Sequence, residues 1–413
     1  MKECGCCEES RPTIADATAT RTKAMAEPLV IDGSTLEGGG QVIRTALSLA
    51  WVQKSRPLRL HSIRAGRPKP GLANQHLMGA RLAARLNGRT LSGDAKGSQL
   101  LEATPQEIRP LPLTLEASSE TGGATTLLLQ ASLPPLLFGA AGRELILRGG
   151  TEGSFAPPAS HTQLVLAPLL ARMGADIDLR IEHRGFVDGG PLGELRVRAR
   201  LPASGTLRPL KLVERGAPRG VIGVVAAAAG GLAAADAVVA ALRPALEQLT
   251  CVQGASVTLE AQASAPAADG GRKGKGRGSG KFICSVQLAV RTTTGCVLSA
   301  NASAAVTADG ISVTHLVDSL CRQLEALLAS GACACEHTTD QLVAYMALAA
   351  GTSRLKGPPA AALTSQHLPT VLHFAALLTG ATFRVSVASD GCQVIECDGV
   401  GAKAAEPPPV GES

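Results

Sequence analysis

Three stretches of the chain repeat one arrangement of apolar and polar positions. Each begins with a histidine, continues with apolar residues at helical spacing, and ends at or beside a glycine suited to a left-handed helix cap. An alternating or β-branched stretch then follows, which is typical of a strand. The stretches begin at His76, His161 and His367. The pattern therefore predicts a helix that runs into a strand, used three times.

A further apolar helical stretch precedes each of these, over residues 40–50, 124–138 and 338–350. The repeated unit is thus two helices and several strands, in an α/β (α+β) protein. The second and third histidines lie more than twice as far apart as the first and second. This spacing predicts an insertion of roughly 100 residues between repeats two and three.

The insertion is expected over residues 205–303. Within it, an apolar helical run over 221–249 precedes alternating strands over 255–261 and 282–290. A Gly/Lys/Arg stretch between those strands is typical of a solvated loop, with contact to an RNA backbone as the alternative. The predicted division is a leader at 1–27, repeats one and two at 28–204, the insertion at 205–303 with its basic loop at 269–281, repeat three at 304–402, and a tail at 403–413.

Composition narrows the possible functions. Apolar residues make up 45% of the chain, as in a globular protein, yet no run of about 20 apolar residues predicts a membrane span. The net charge of +6 permits a polyanionic partner. Aromatic residues are only 2%, which argues against base stacking in RNA recognition. A nucleic acid would therefore be held through its phosphates by Arg and Lys.

A glycine loop opens the first predicted helix and carries the first candidate chemistry. It reads DGSTLEGGGQ from Asp32 to Gln41, after a short apolar strand. Backbone N–H groups of such a loop suit a phosphate, although the loop matches neither the P-loop nor the Rossmann pattern. Glu37 lies within it, and a carboxylate beside a phosphate usually needs a divalent cation between them. The alternative is an ordinary turn.

The segment IRAGRPKPGLANQH, from Ile63 to His76, is a stiff basic loop ahead of the next helix. Arginine binds phosphate in a bidentate manner, so an anion pocket is one interpretation. A solvated loop is the other, and both remain open from these residues alone.

Several long motifs in order resemble the RNA 3′-terminal phosphate cyclase family. They are DGSTLEGGGQ, IRAGRPKPGL with the QH that follows, GGTEGSFAP, DQLVAYMALA and VIECDGVG, and the similarity runs from Leu29 to Gly401. The resemblance implies three βαβαββ-type repeats in a large domain, with a smaller α/β domain inserted. It also implies RNA 3′ ends and ATP as substrates, a divalent cation (Mg or Mn), and the nucleus ahead of the cytoplasm as the location.

The resemblance makes His367 the nucleophile that carries AMP. Pro369 is tolerated only in a first helical turn, which independently predicts that His367 lies at a helix N-terminus. There the helix dipole disfavours imidazolium and favours an incoming phosphate. Without the resemblance, His367 would be interpreted as a simple helix start, like His76 and His161.

The implied reaction has three steps: attack of His367 on the α-phosphorus of ATP, transfer of AMP to the RNA 3′-phosphate, and attack of the 2′-OH to leave a 2′,3′-cyclic phosphate. By family position, Glu37 holds the metal. Residues that match the substrate-phosphate positions are Arg44, Arg64, Arg67, Gln75 and His76. Those that match ATP-contacting positions are Gln130, Pro157, His337, Asp340 and Gln341.

Two departures and two alternatives accompany this hypothesis. His337 stands where the family has Tyr, and the family's GGGE turn reads GGPLGE from Gly189 to Glu194. A non-catalytic ribosome-assembly role is known among cyclase-like proteins that lack the nucleophilic histidine, which this chain retains. The repeats also resemble the enolpyruvyl transferases, but the IRAGR loop and the DQL helix are not expected there.

Overall fold

The computed structural model describes residues 26–53, 56–106, 112–119, 123–153, 155–186, 192–264, 282–306 and 311–404. The basic loop at 269–281, most of the leader and tail, and the turn residues 189–191 lie outside this part. Within it, no helix is both long enough and apolar enough to cross a bilayer.

The first repeat is a four-stranded sheet with two helices. Its elements are β1 (Leu29–Asp32), α1 (Gly40–Ser48), β2 (Leu58–His61), α2 (Asn74–Leu86), β3 (Arg89–Ser92) and β4 (Leu101–Pro105). The strand order is β1-β2-β4-β3, with β1 and β2 parallel and the other pairs antiparallel. Each helix therefore starts from the carboxyl end of a parallel strand.

The second repeat has the same topology. Its elements are β5 (Thr114–Ser118), α3 (Thr125–Phe138), β6 (Glu144–Gly149), α4 (Ala159–His161), a π-helical turn (Thr162–Leu166), α5 (Ala167–Arg172), β7 (Asp176–His183) and β8 (Gly193–Arg200). The order β5-β6-β8-β7 again pairs the first two strands in parallel. The π turn joins α4 and α5 into one continuous helical segment.

The third repeat is interrupted after its first strand. That strand is the short β9 (Lys211–Leu212). The inserted elements follow it: β10 (Pro218–Ala227), α6 (Leu232–Gln248), β11 (Ser256–Ala263), β12 (Phe282–Thr292), β13 (Val297–Val306) and α7 (Ile311–Ala329). The repeat then resumes with α8 (Glu336–Leu348), β14 (Ala350–Pro359), α9 (His367–Thr379), β15 (Thr382–Val387) and β16 (Cys392–Val400). The order β9-β14-β16-β15 completes a third sheet of the same topology.

The fold class is confirmed: three βαβαββ repeats with a smaller inserted α/β unit. The structure moves the expected boundaries of that unit, because β9 pairs with β14 and α7 packs on α6 and β13. The insertion therefore lies inside repeat three and extends past residue 303. The spacing between the histidines predicts the length of the insertion. It does not show where the chain leaves the third sheet and where it returns to it.

The predicted helical run over 221–249 was wrong in its first part. Residues 218–227 form β10, a central strand between β11 and β12, and the helix begins only at Leu232. A short apolar run fits a buried strand and a buried helix equally well. The β-branched residues Val221, Ile222, Val224 and Val225 favour the strand once two neighbours are present to pair with it.

Two apolar cores correspond to the repeats and the insertion. The larger core joins all three repeats, and the smaller one lies between the inserted sheet and helices α6 and α7. The predicted left-handed glycines after the three histidine-led helices are confirmed, since Gly88, Gly174 and Gly380 have φ values of 63°, 96° and 80°. These caps allow each helix to turn directly into its strand.

Candidate active site

The predicted site residues come together in one cavity of about 470 Å³. Its lining includes every one of them: Glu37, Arg44, Arg64, Arg67, Gln75, His76, Gln130, Pro157, His337, Asp340, Gln341 and His367. Most lie in the first turns of α1, α2, α8 and α9, or in the loops before them. In a repeated βαβ unit these helix starts meet at the carboxyl ends of the parallel strands. Their N-terminal dipoles converge on the cavity, which suits phosphate groups.

The glycine loop places Glu37 at the edge of the cavity. Leu36 and Gly38 on either side have φ values of 54° and 57°, a left-handed turn that brings the carboxylate back over the start of α1. Glu37 Oε2 accepts a hydrogen bond from the Gln41 backbone N–H at 3.2 Å. Its own backbone N–H donates to Thr370 Oγ1 in α9 at 3.1 Å. The loop is thereby fixed to the helix that carries His367.

Close packing explains why α1 starts with a glycine. A Cβ atom at Gly40 would lie 2.6 Å from Arg44 Nη1 and 2.7 Å from His76 Nε2. Any side chain there would displace two of the groups that line the cavity.

His367 is the first residue of α9, as Pro369 predicted. Its imidazole is 29% exposed and lies between two carboxylates. Nδ1 is 3.6 Å from Asp340 Oδ2, and Nε2 is 4.0 Å from Glu37 Oε1. Asp340 is buried, so its position relative to the ring is set by the packing of α8 against α9.

Three arginines form the cationic side of the cavity. Arg67 Nη2 donates to Glu37 Oε1 at 2.6 Å, and Arg64 Nη1 donates to the Gly71 carbonyl at 2.7 Å. Arg64 has a φ of 53°, a strained value for a residue with a side chain, which keeps the basic loop folded back on itself. Burial lowers the pKa of Arg44 to about 10, with Glu37 and Asp340 opposing that effect, so it remains a cation.

His76 lines the cavity beside these arginines, and its side chain is neutral. Burial, then the charges of Arg44 and Arg64, lower its pKa to about 3. Its Nδ1 lies 3.2 Å from the Ala73 backbone N–H and accepts that hydrogen bond. The ring proton therefore resides on Nε2, which faces Gly40 and Arg44 and can donate to an anion in the cavity.

A largely apolar recess adjoins the cavity and shares Gln41, Arg44, Gln130, Pro157, Asp340 and Gln341 with it. Its remaining walls include Leu129, Leu133, Leu166, Tyr345 and Val371. Gln130 Oε1 is buried there without a hydrogen-bond partner among the described residues. Such an orphan acceptor beside apolar walls suits a flat heterocycle with one or two donor groups.

A family model described as RNA 3′-terminal phosphate cyclase matches residues 35–385. The chain belongs to this family. An RNA 3′-terminal phosphate cyclase of Drosophila melanogaster is 34% identical over 377 residues, covering 90% of this chain and 97% of the relative. Proteins of the same name from Pyrobaculum neutrophilum and Salmonella agona are each 32% identical over 371 residues, covering 90% of this chain and 98% of each relative. The resemblance seen in the motifs is confirmed.

The residues of this cyclase-family chain also fit a divalent cation. Glu37 and Asp340 supply carboxylate oxygens on two sides of His367, the ligand type that Mg²⁺ and Mn²⁺ prefer. His337, Asp340 and His367 also have ligand atoms within 4.8 Å of one another. Arg67 is hydrogen-bonded to Glu37 Oε1, so a cation bound by that oxygen must displace the guanidinium.

Phe155 and Asn301 also line this cyclase-family cavity, although the sequence did not single them out. Phe155 follows the GGTEGS motif, and Asn301 comes from β13 of the inserted unit. Asn301 had no motif to single it out, since only the packing of the insertion against repeat two brings β13 to the cavity. His161 was also seen only as a helix start, whereas the structure places it in the wall of the apolar recess.

Proposed function

We propose that this chain converts an RNA 3′-terminal phosphate into a 2′,3′-cyclic phosphate, with ATP as the activating substrate and AMP carried covalently on His367. Membership of the cyclase family and the names of its relatives support the cyclase activity. The observation that carries the covalent step is the placement of the His367 ring, partly exposed at a helix N-terminus inside a cavity lined by arginines.

In the first step, Nε2 of His367 attacks the α-phosphorus of ATP and pyrophosphate leaves with the bonding electrons. The carboxylate of Asp340 near Nδ1 favours the tautomer protonated at Nδ1, which leaves the lone pair on Nε2. The same carboxylate stabilises the positive charge that the ring acquires as the N–P bond forms. Arg44 and Arg67 lie where they can neutralise phosphoryl oxygens.

In the second step, an oxygen of the RNA 3′-phosphate attacks the AMP phosphorus, and the neutral ring of His367 leaves. In the third, the adjacent 2′-OH attacks the 3′-phosphorus, loses its proton and expels AMP. Arg64, Gln75 and the Nε2–H of His76 would hold the RNA phosphate during both steps, and their common position in the cavity wall supports this role.

The recess beside the cavity is the proposed site of adenine. Within the recess, Gln130 and Gln341 supply amide groups for the base edge, and Pro157 supplies an apolar surface. His337 lines the adjoining cavity and, by family position, would contact ATP from there. A cation held by Glu37 would shield the negative oxygens of the triphosphate. Glu37 is preferred over the His337–Asp340–His367 group because a cation bound at Nδ1, the nitrogen beside Asp340, would replace the Nδ1 proton and withdraw electron density from the attacking Nε2.

The covalent step can be tested by incubation with ATP labelled at the α-phosphorus, together with Mg²⁺ or Mn²⁺. We expect an acid-labile, alkali-stable label on the wild-type protein and none on His367→Ala, a loss of more than about 10³-fold. His373→Ala is the matched control, because His373 is exposed on the same helix outside the cavity. A chelator should also prevent labelling of the wild type.

The second readout is conversion of an RNA oligonucleotide with a 3′-phosphate to a phosphatase-resistant cyclic end. A wild-type protein that takes no label under either metal would contradict the enzymatic proposal and favour the non-catalytic role. Labelling without cyclisation would instead indicate a different acceptor for AMP.

A further inference from the structure

Phe155 is the one exposed aromatic side chain in the described part of the chain. Its exposure is 53%, whereas Phe138, Phe374 and Tyr345 are buried in the core. Aromatic residues make up only 2% of the sequence, so an aromatic ring left in solvent is unusual for this protein. The exposed ring lies in the wall of the cavity that contains His367.

The loop that carries Phe155, between β6 and α4, is anchored on both sides. On one side, Glu152 forms a buried ion pair with Arg184. On the other, the Pro157 carbonyl accepts a hydrogen bond from Thr126 Oγ1 at 3.0 Å. These two described contacts flank the ring in the sequence, and a partner that stacks on the exposed ring gains contact area.

The ring belongs to the wall of the larger cavity and not to that of the adjoining recess. Phe155 lines the same cavity as Arg64, Arg67 and His76, and it does not line the apolar recess. The recess thus has its own walls for the adenine of ATP. An aromatic face beside phosphate-binding arginines is the arrangement that proteins use for a nucleotide at a single-stranded end.

We propose that Phe155 is the platform on which the 3′-terminal base of the RNA stacks while the arginines hold its terminal phosphate. This inference rests on the proposed cyclase function and adds to it a contact with the base. Stacking is tolerant of base identity because every base has a π face, so the platform would position RNA ends without selecting a sequence. The low aromatic content argued against base stacking in general, and this single ring is a specific exception.

The test compares the wild type with Phe155→Ala on two oligonucleotides that end in a 3′-phosphate, one normal and one abasic at its last nucleotide. For the normal RNA we expect KM to rise about tenfold, with kcat and the KM for ATP little changed. For the abasic RNA, which has no base to stack, the two proteins should have the same KM. Phe155→Trp should restore the KM for the normal RNA.

Leu113→Ala is the matched control, because Leu113 is an exposed apolar residue outside the cavity. A raised KM for ATP or slower self-labelling in Phe155→Ala would overturn the proposal by assigning the ring to the nucleotide. An equal rise in KM for normal and abasic RNA would also overturn it, by showing that the ring only shapes the loop. If the wild type takes no label, fluorescence anisotropy can measure how tightly both proteins bind the same two RNAs. This measurement tests the stacking contact separately from the proposed reaction.

Discussion

The second helical segments of repeats two and three each carry a histidine in their first turn, His161 and His367, and one helix, α8, provides a neighbour for each. His161 is 1% exposed, and its Nε2 hydrogen-bonds Thr338 Oγ1 at 3.1 Å. His367 is partly exposed and faces Asp340, two residues further along α8. A fold repeated three times thus presents similar helix starts to very different surroundings.

Burial and charge account for the difference. Burial, with a smaller contribution from the nearby His337, lowers the pKa of His161 to about 3, so this ring is a neutral packing group. His367 has carboxylates near both nitrogens and an open path to the cavity. The repeat therefore supplies the backbone position, whereas the neighbouring helix decides which histidine is available for chemistry.

The two neighbours on α8, Asp340 and Thr338, should have very different effects on adenylation. Asp340→Asn keeps the shape but removes the charge beside His367, so we expect single-turnover adenylation to slow by about 10²-fold. Thr338→Val removes the neighbour of His161 instead and should change adenylation by less than about threefold. Equal losses of adenylation in both variants would contradict the distinction.

In repeat one, His76 faces the same cavity as His367, and its removal should have a smaller effect. His76→Ala removes the Nε2–H donor, and we expect transfer of AMP to the RNA 3′-phosphate to slow by about tenfold, with self-adenylation less affected. His76→Asn, which retains an N–H donor, should recover part of the rate. Loss confined to self-adenylation would place His76 with the nucleotide rather than with the RNA phosphate.

The smallest effect concerns stability in acid. Because the folded pKa of His161 is about 3, below its ordinary value of 6.5, the unfolded chain binds an extra proton between these pH values. Stability from this group is therefore complete above pH 6.5 and decreases as the pH falls toward 3. Lowering the pH from 6.5 to 5.5 should therefore reduce the free energy of unfolding by about 1 kcal/mol through this group.

His161→Gln removes this titration and should reduce the pH dependence by that amount, whatever its effect on stability at pH 8. Denaturant unfolding of both proteins at pH 8, 6.5 and 5.5 measures how the free energy of unfolding depends on pH. The same pH dependence in wild type and variant would show that His161 is not a buried neutral group.

Much of the fold followed from local patterns. Apolar periodicity and the glycines Gly88, Gly174 and Gly380 predicted the histidine-led helices, because helical spacing and left-handed caps are properties of short segments. The exit of the chain after β9 was not predictable, since a two-residue strand is defined only by its pairing with β14. Strand β10 was likewise assigned to a helix, because its apolar run is identified as a strand only by its pairing with β11 and β12.

Some features of the candidate site were also predictable from local sequence, and others were not. The helix start at His367, set by Pro369, and the glycine loop that carries Glu37 follow from local sequence, because both depend on backbone conformation within a few residues. Tertiary packing alone brings Asp340 and Glu37 to the two sides of His367 and buries His161. Packing between elements distant in sequence creates those electrostatic surroundings, and no local pattern records them.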